Sequence, residues 1–308
     1  MGTPDFALPA LSGLVDVGHM VVAVFARPDR RVGRGRSAAT PPIGAFAEER
    51  GLPLFEPVSL RRDAEARERI ASLAPDVIVV AAYGAFLPDE TLAVPRLGCL
   101  NIHPSLLPRH RGPSPVPSAI LAGDDETGVS VMLLDSGMDS GPILAQRRTP
   151  IGPSEYRSEL TPRLFLMGAE LLIETLPGWA SGELKAQPQD DSAATITKLL
   201  DREDGRIDWS RSALNIGRQI RAFDPWPGTY TTWRGKSLKI LAARPLPTTQ
   251  AAGAPADVVE LPDNGTGVVT GDGVLELTTV QIEGKRPAPV REFVQGYHDF
   301  VGHRLDTR

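Results

Sequence analysis

The first half of this chain alternates short runs of β-branched residues with segments of helical periodicity. The runs that predict strands are Met20–Phe25, Asp76–Gly84, Gly98–His103 and Gly128–Leu134. The segments that predict helices are Pro41–Gly51, Arg61–Leu73 and Ser158–Leu176. This alternation is typical of βαβ units, which need a mainly parallel sheet covered by helices. The pattern therefore predicts a Rossmann-like α/β domain over residues 1–185.

The chain opens without the strand that normally begins a doubly wound sheet. Residues 1–19 predict a turn followed by a helix, and the residues before this helix contain no apolar β-branched run. We therefore expect the first strand to be missing, as would follow from a start codon chosen too far downstream. A central position of the sheet would then lack its usual occupant.

The composition changes after about residue 182. Residues 186–205 are polar and predict a linker between two domains. A helical segment over Ile207–Phe223 follows, and then come short strand candidates separated by Gly, Pro and Asn. This spacing predicts a smaller OB-like β-barrel domain over residues 206–308. We expect Trp226 and Trp233 to lie in its core.

Composition excludes several classes of protein. The net charge of −5 argues against a protein that coats nucleic acid without sequence preference, and a single cysteine excludes a disulfide framework and a multi-cysteine metal site. No apolar run approaches the ~18 residues of a membrane span. The first twenty residues also lack the basic and then apolar pattern of a secretory signal. These features favour a cytoplasmic protein with no membrane segment, and we expect a monomer.

A dense group of polar side chains follows the third predicted strand, in the segment NIHPSLLPRHRG at residues 101–112. Because side chains alternate along a strand, Asn101 and His103 share a face at its carboxyl end, where open α/β sheets bind ligands. A second stretch, LLDSGMDSGPIL at residues 133–144, follows the next strand and carries Asp135 and Asp139.

Asn, His and Asp side chains together can bind and protonate an oxyanion. A carboxylate beside His103 would favour the imidazolium and hold the ring in one orientation. The spacing alone leaves a second interpretation equally open. In that interpretation Asn101 caps a turn, His103 is a satisfied polar residue, and the two aspartates only form turns.

The two stretches resemble the signature of the folate-dependent formyltransferases, which move a formyl group from 10-formyltetrahydrofolate to an amine. The resemblance implies that Asn101, His103 and Asp139 occupy the three catalytic positions, whereas Asp135 occupies none. Attack of the amine gives a tetrahedral oxyanion, which donors at Asn101 and His103 would stabilise. His103 would pass a proton to the departing folate nitrogen, while Asp139 would orient His103 and accept the proton that the amine loses. No metal is required.

The resemblance also implies where the folate co-substrate binds. The family uses a loop that matches SLLP here, which consists of Ser105, Leu106, Leu107 and Pro108. Tyr83, Phe86 and Leu87, at the end of the preceding strand, are predicted to line an apolar slot for the folate ring. These three residues could equally be core residues at the edge of the sheet.

Members of the family formylate a purine precursor, amino sugars on nucleotides, or the methionine carried by initiator tRNA. Three features resemble the members that act on initiator methionyl-tRNA. They are the opening GTPDFA with the arginine-rich segment 24–36, the continuation of the chain past the linker, and the motif IRAFDPWPGTY at residues 220–230. An enzyme of amino-sugar nucleotides shares the catalytic set and is the alternative. A hydrolase of formyltetrahydrofolate and a tRNA-binding module without catalysis remain open as well.

The resemblance implies a set of arginines that contact tRNA. They are Arg30, Arg31, Arg34 and Arg36 in the arginine-rich segment, and Arg109 and Arg111 beside the polar cluster. Clustered arginines neutralise phosphates, and the flanking glycines would let the segment stay mobile until RNA orders it. The alternatives are a solvated loop for the first four residues and pairing with local carboxylates for Arg109 and Arg111.

Overall fold

A computed structural model describes residues 1–28, 42–247 and 252–306 of the chain. The chain divides into two compact units, each made of discontinuous segments. Unit 1 comprises Met1–Pro115, Glu126–Pro150 and Thr161–Lys198. Unit 2 comprises Val116–Asp125, Ile151–Leu160 and Leu199–Arg308.

Helices and strands alternate through the first half of the described residues. The helices are α1 (Leu8–Asp16), α2 (Pro42–Glu49), α3 (Ala64–Leu73), α4 (Asp89–Leu92), α5 (Pro115–Ala122), α6 (Arg157–Ser181), α7 (Ala213–Ala222) and α8 (Val290–Gly296). The strands are β1 (Val24–Phe25), β2 (Leu54–Phe55), β3 (Ile78–Ala81), β4 (Cys99–His103), β5 (Glu126–Leu133), β6 (Ile143–Pro150), β7 (Tyr230–Trp233), β8 (Lys236–Leu246), β9 (Val258–Leu261), β10 (Gly265–Val269), β11 (Val274–Ile282) and β12 (Ala288–Pro289). Short 3-10 helices lie at Asp5–Ala7, Asp191–Ala193, Glu203–Gly205 and Pro262–Asn264.

The strands of unit 1 combine parallel and antiparallel pairing. β1 pairs with β2 and β3 pairs with β4 in parallel, whereas β5 pairs antiparallel with β4 and with β6. Met1 and Gly2 lie between β1 and β3: the Gly2 N–H donates to the Phe25 carbonyl at 3.0 Å, and Gly2 forms a parallel bridge with Ala81. Among the described residues no strand precedes α1, as expected, and this dipeptide holds the central position instead.

α6 covers one face of the unit 1 sheet because its apolar residues recur at helical spacing. Leu164 and Leu172 are fully buried on this face. Gly168 allows the close approach, since a Cβ at this position would lie 2.4 Å from Ile102 Cγ2 and 2.8 Å from Val129 Cγ2. The helix therefore presses directly on β4 and β5 and fixes the strand that carries the polar cluster.

Unit 2 is built around an antiparallel sheet with the strand order β7-β8-β11-β10-β9, and β12 pairs with β11. The register between β8 and β11 shifts around Thr278, and such bulges increase the twist of a sheet. Trp233 is buried among aromatic rings as expected, but the prediction for Trp226 is wrong because this ring is 50% exposed. An α/β unit followed by a smaller antiparallel β unit confirms the predicted fold class.

Several elements of the structure are absent from the sequence prediction. Among them are β6, which contains two adjacent arginines, and α5, which contains prolines at positions 115 and 117 and has no polar face. The predicted long helix extends from Arg157 to Ser181, past the predicted end at Leu176. None of the helices in the described part of the chain combines the length and the apolar character needed to span a lipid bilayer.

Candidate active site at the end of strand β4

Two loops of unit 1 converge at the carboxyl end of β4. His103 is the last residue of this strand, and its Nδ1 lies 3.5 Å from Oδ2 of Asp139, in the loop between β5 and β6. The same Oδ2 accepts a hydrogen bond from the Gly112 N–H at 2.8 Å. The His103 side chain is 5% exposed and that of Asp139 17%, so the carboxylate is the more accessible member of the pair.

The surroundings of His103 determine where its protons lie. Nε2 is 3.0 Å from the His110 carbonyl oxygen. Because a carbonyl oxygen can only accept, we assign a proton to Nε2, which leaves Nδ1 to take up a second proton beside Asp139. Burial lowers the pKa of His103 below its ordinary value, and Asp139 and the His110 carbonyl counter this effect only in part. Burial thus outweighs the carboxylate, which was expected to favour the imidazolium.

Asn101 lies on the same strand face as His103, two residues earlier in β4. The residue is half-buried. Within residues 1–28, 42–247 and 252–306, the structure gives its side-chain amide no hydrogen-bond partner. A polar group at a buried strand end normally finds a partner in the protein, so this amide is available to a ligand.

Two residues of the site adopt backbone conformations that side chains other than glycine rarely take. His110 has φ 58° and Asp139 has φ 50°. Such positions persist where the surrounding contacts hold them, and they concentrate at functional sites. Here the His110 carbonyl contacts His103 Nε2, and the Asp139 carbonyl accepts a hydrogen bond from Gln189 Nε2 at 2.9 Å.

The SLLP loop is held from behind by side chains of β5 and β6. Ser130 Oγ donates to the Ser105 carbonyl at 2.7 Å and accepts from the Leu107 N–H at 3.1 Å. Gln146 Nε2 donates to the Leu107 carbonyl at 2.9 Å. Ser105 and Leu107 are themselves buried, while Leu106 and Pro108 are half-buried. The backbone of this loop is therefore fixed before any ligand binds.

The three residues predicted to line a folate slot differ in accessibility. Tyr83 is buried in a core cluster with Phe25 and Cys99, and burial raises the pKa of its phenol. Leu87 packs half-buried against the same cluster, whereas Phe86 is 70% exposed. Tyr83 thus matches the core alternative, and Phe86 is the ring of the three that a ligand can reach.

Residues 187–197, predicted as part of a linker, are hydrogen-bonded along the site loops of unit 1; we call them the strap. The backbone of Gln187 pairs with Ile143 in both directions at 2.8 Å. Farther along, the Arg111 N–H donates to the Thr195 carbonyl at 2.9 Å, and the Thr197 N–H donates to the Arg111 carbonyl at 2.8 Å. Gly112, with φ 102°, permits this approach, since a Cβ there would lie 2.9 Å from Thr197 Oγ1.

The arginines predicted to contact tRNA fall into different settings. Arg111 is 6% exposed, and its guanidinium donates to Asp191 Oδ1 at 2.7 Å and to Gln189 Oε1 at 3.0 Å. It therefore pairs with a local carboxylate and faces the strap instead of solvent. Arg109 is exposed. The other four lie outside the described residues: Arg30, Arg31, Arg34 and Arg36.

Sequence reasoning missed the side chains that support this site, above all Gln189, Ser130 and Gln146. A signal for the strap exists in the segment Thr195–Ile196–Thr197, where polar and apolar residues alternate with the period of an extended strand. No group of three or more His, Cys, Asp or Glu side chains in the described part of the chain is arranged to hold a metal ion.

Comparisons with known proteins match both parts of the chain to formyltransferases. Residues 1–176 match the formyl transferase family, and residues 199–298 match the formyl transferase C-terminal domain. The chain is 50% identical over 306 residues to the methionyl-tRNA formyltransferase of Roseiflexus sp. (strain RS-1), which covers 99% of this chain and 94% of that protein.

Two solved structures share the fold at low sequence identity. The sugar 3N-formyltransferase WlaRD matches with a TM-score of 0.67 and 18% identity, over 92% of this chain and 97% of that one. HypX from Aquifex aeolicus in complex with tetrahydrofolic acid matches with a TM-score of 0.60 and 22% identity, over 83% of this chain. The match spans only 44% of the HypX chain. At these sequence identities, both comparisons show similarity of fold and nothing further.

Proposed function

Since this chain belongs to the methionyl-tRNA formyltransferase family, we propose that it formylates methionine on initiator tRNA and that Asn101, His103 and Asp139 serve the transfer. The observation that carries the site assignment is the meeting of His103 Nδ1 and Asp139 Oδ2 at 3.5 Å, on the strand face where the Asn101 amide lacks a partner among the described residues.

The co-substrate in this proposal is 10-formyltetrahydrofolate, which supplies the formyl group. The residues present fit such a molecule, because the SLLP loop has a fixed backbone and carries the half-buried Leu106 and Pro108, and Phe86 offers an accessible aromatic ring. We propose that Leu106, Pro108, Phe86 and Leu87 contact the folate, with Ser105 and Leu107 shaping the loop. The tetrahydrofolic acid held by HypX, which shares this fold, supports the choice.

Asn101 is the donor for the formyl oxygen in this scheme. That oxygen gains negative charge when the amine of methionine attacks the formyl carbon, and an aligned N–H stabilises the charge. A single donor of this kind contributes ~3 kcal/mol to transition-state stabilisation. The backbone that carries Asn101 is held in place by the close packing of α6 on β4.

The His103–Asp139 pair manages the proton that the amine loses. Oδ2 of Asp139 is engaged by Gly112 and His103, which leaves Oδ1 to accept that proton directly or through a water molecule. His103 Nδ1 carries no proton in this assignment and lies beside Oδ2, so it can take up a proton that the Asp139 carboxyl group gives up. Both ring nitrogens of His103 face protein groups, so its expected transfer of a proton to the folate nitrogen stays a prediction.

In this proposal, tRNA is recognised by positively charged residues other than the His103–Asp139 pair. We propose that Arg30, Arg31, Arg34, Arg36 and the exposed Arg109 contact phosphates, while residues 206–308 form a tRNA-binding domain. Arg111 takes a different role, because its guanidinium is buried against Asp191 and Gln189. It holds the strap to the loop that follows β4.

We also propose that the protein acts as a monomer in the cytoplasm, where initiator tRNA is aminoacylated. Light scattering coupled to size exclusion should give the mass of one 33.0 kDa chain. A dimer mass at assay concentration would contradict this part of the proposal.

The function is tested by offering labelled 10-formyltetrahydrofolate with charged initiator tRNA, with an amino-sugar nucleotide, and with water alone. We expect label on methionyl-tRNA only. Transfer to the sugar amine or release of formate without an acceptor would replace the proposal with the corresponding activity. His103→Ala should remove most turnover and leave tRNA affinity nearly unchanged, because the ring is buried and, in the described part of the chain, bonds to the His110 carbonyl and Asp139.

The role of the arginine-rich segment is tested separately with Arg34→Ala. This variant should weaken the use of tRNA and reduce the slope of log K against log salt by about one, with turnover at saturating tRNA retained. Measurement of tRNA binding across a salt series gives the slope. An unchanged affinity at every salt concentration would remove Arg34 from the interface.

A further inference from the structure

The strap contributes a single side chain that bonds to both site loops. Gln189 Nε2 donates to the Asp139 carbonyl at 2.9 Å and to the Gly141 carbonyl at 2.7 Å. Its Oε1 accepts from Arg111 Nε at 3.0 Å. One primary amide thus uses both of its donors on the loop after β5 and its acceptor on the loop after β4.

These three bonds fix the distance between the two loops that carry the site. The Asp139 loop has no regular structure between β5 and β6, and Asp139 itself adopts φ 50°. Hydrogen bonds to the carbonyls of residues 139 and 141 fix the peptide plane between Asp139 and Ser140 and the one between Gly141 and Pro142. The direction in which the Asp139 side chain leaves the backbone therefore depends on Gln189.

We propose that Gln189 is a positioning residue for formyl transfer, because its amide holds the backbone of Asp139 where the carboxylate meets His103. The inference rests on the proposed function and extends the site to a side chain 50 residues away in sequence from Asp139. Gln189 acts through Asp139 and touches neither substrate. Its contribution is a fixed geometry, to which transfer rates are sensitive at a scale of about 1 Å.

The strap does not depend on this amide for its attachment. Backbone hydrogen bonds secure it at Gln187 near one end and at Thr195 and Thr197 near the other. The His110 N–H also donates to Thr195 Oγ1 at 2.8 Å. Replacing the Gln189 side chain should therefore leave the strap in place while the Asp139 loop loses its two donors.

Gln189→Met is the sharpest variant, because methionine has a similar length and offers no comparable donor. Gln187→Met is the matched control: the same substitution falls on the same strap, at an exposed side chain whose amide donates to the Lys185 carbonyl at 3.4 Å and to no other group that the structure describes. Gln189→Glu is the second variant, since it keeps an acceptor for Arg111 but replaces the donors to residues 139 and 141.

The first readout is the titration of the His103 imidazole by ¹⁵N NMR without substrate. The chain has five histidines, and the His103→Asn spectrum identifies the signal. The charged and titratable groups that face His103 are Asp139 and His110, of which Asp139 raises the pKa of the ring. In Gln189→Met the carboxylate loses its fixed position, so the titration midpoint should fall by about half a unit or more. The control should titrate like the wild type.

The second readout is steady-state formylation. Gln189→Met and Gln189→Glu should lower kcat by about tenfold or more, with KM for methionyl-tRNA and for the folate within about twofold of the wild type. Gln187→Met should retain full kcat. Thermal unfolding of each variant shows whether the folded fraction is preserved at the assay temperature.

An unchanged His103 titration in Gln189→Met, or a fall in kcat that the folded fraction fully explains, would overturn the positioning role. Equal losses in Gln187→Met would do the same. The titration needs no turnover, so it judges Gln189 separately from the reaction. Absence of methionyl-tRNA formylation by the wild type would instead overturn the proposed function.

Discussion

The loops after β4 and β5 bury polar side chains, whereas the core of unit 2 buries aromatic rings. His103, Ser105 and Arg111 are all less than a tenth exposed, and each is hydrogen-bonded to a partner far along the chain or across its own loop. In unit 2, Trp233 packs edge-on against Tyr297 and Phe300 at 5.2 Å between ring centroids.

Exclusion of water has different consequences in the two regions. Around His103, burial lowers the pKa of the imidazole, and the buried groups are held by hydrogen bonds, which require a particular geometry. Around Trp233, burial removes apolar area from water and favours tight packing with little directional demand. Substitutions in the first region should therefore change activity, and substitutions in the second should change the free energy of unfolding.

Asp139→Asn should show the largest effect. Asparagine keeps the shape of the side chain but cannot take up the proton, so we expect kcat to fall by about 10²–10⁴ with little loss of stability. Asp135→Asn is the matched control in the same loop, because Asp135 is exposed and bonds only to Ser140 and to the Gly137 N–H. Similar losses in both variants, measured by formyl transfer, would contradict the assignment of Asp139.

Trp233→Ala should come next and should affect stability alone. Removing this ring, which is 1% exposed, leaves a cavity among aromatic neighbours and should cost about 3–5 kcal/mol in the free energy of unfolding. Urea unfolding measures the loss. Trp233→Phe should cost clearly less, since it keeps a ring and removes a buried Nε1–H that lacks a partner among the described residues. A large drop in kcat per folded Trp233→Ala molecule would contradict the expectation that substitutions in the core of unit 2 change stability and not activity.

Ser130→Ala should combine a moderate loss of stability with weaker folate binding. The buried Leu107 N–H and Ser105 carbonyl lose their partner, which should cost about 1–3 kcal/mol. KM for the folate should rise because the SLLP loop loses its support, and steady-state kinetics would show this. Ser72→Ala, at an exposed serine of α3, should be neutral by both measurements. An unchanged folate KM in Ser130→Ala would separate the loop from folate binding.

The pKa of His103 predicts a smaller, pH-dependent effect. Because burial lowers this pKa in the folded state, the unfolded chain binds the proton first as the pH falls below the ordinary value of about 6.5. The contribution of His103 to stability is therefore complete above this pH and declines below it. Unfolding free energies measured at several pH values should fall less steeply toward acid in His103→Asn than in the wild type. Parallel slopes would show that this ring titrates normally.

Arg244→Ala should have the smallest effect. Its guanidinium pairs with Glu276 across β8 and β11 at 2.6 Å, but the Arg244 side chain is 70% exposed. Exposed pairs of this kind contribute at most about 1 kcal/mol, and salt screens them. Urea unfolding at low and high salt should give differences within this limit. A larger loss would mean that unit 2, like unit 1, relies on directional polar contacts.

The positions of two reactive side chains were accessible from local sequence patterns. The β-branched run that ends in Asn101 and His103 predicts a strand whose carboxyl end carries both groups, and β4 ends at His103. The position of Asp139 was not, because β5 runs antiparallel to β4 with Leu133 opposite Leu100, so the order of the strands does not bring the loop after β5 to His103. The contact between Asp139 and His103 depends on the path of that loop, whereas the alternation of side chains along β4 is a property of a short segment.

The contacts that hold those side chains in place could not be predicted from local sequence patterns. The family resemblance implies contact between Arg111 and tRNA, with pairing to a local carboxylate as the alternative, and the polarity of residues 186–205 predicts a linker. The structure buries Arg111 and joins it to Gln189, which lies 78 residues farther along the chain. Trp226 and Trp233 are equally apolar, yet only their neighbours in space decide that one is half exposed and the other buried.

The sequence by itself determined the α/β and antiparallel β units and the strand end that carries Asn101 and His103, whereas the path that brings Asp139 to His103 belongs to the tertiary structure. Only the tertiary structure decided that burial lowers the pKa of His103, that Ser130 and Gln146 hold the SLLP loop, and that the strap closes over both loops. The reason is physical: periodicity encodes which face of an element is apolar, whereas hydrogen bonds and desolvation depend on which distant residues meet once those faces have packed.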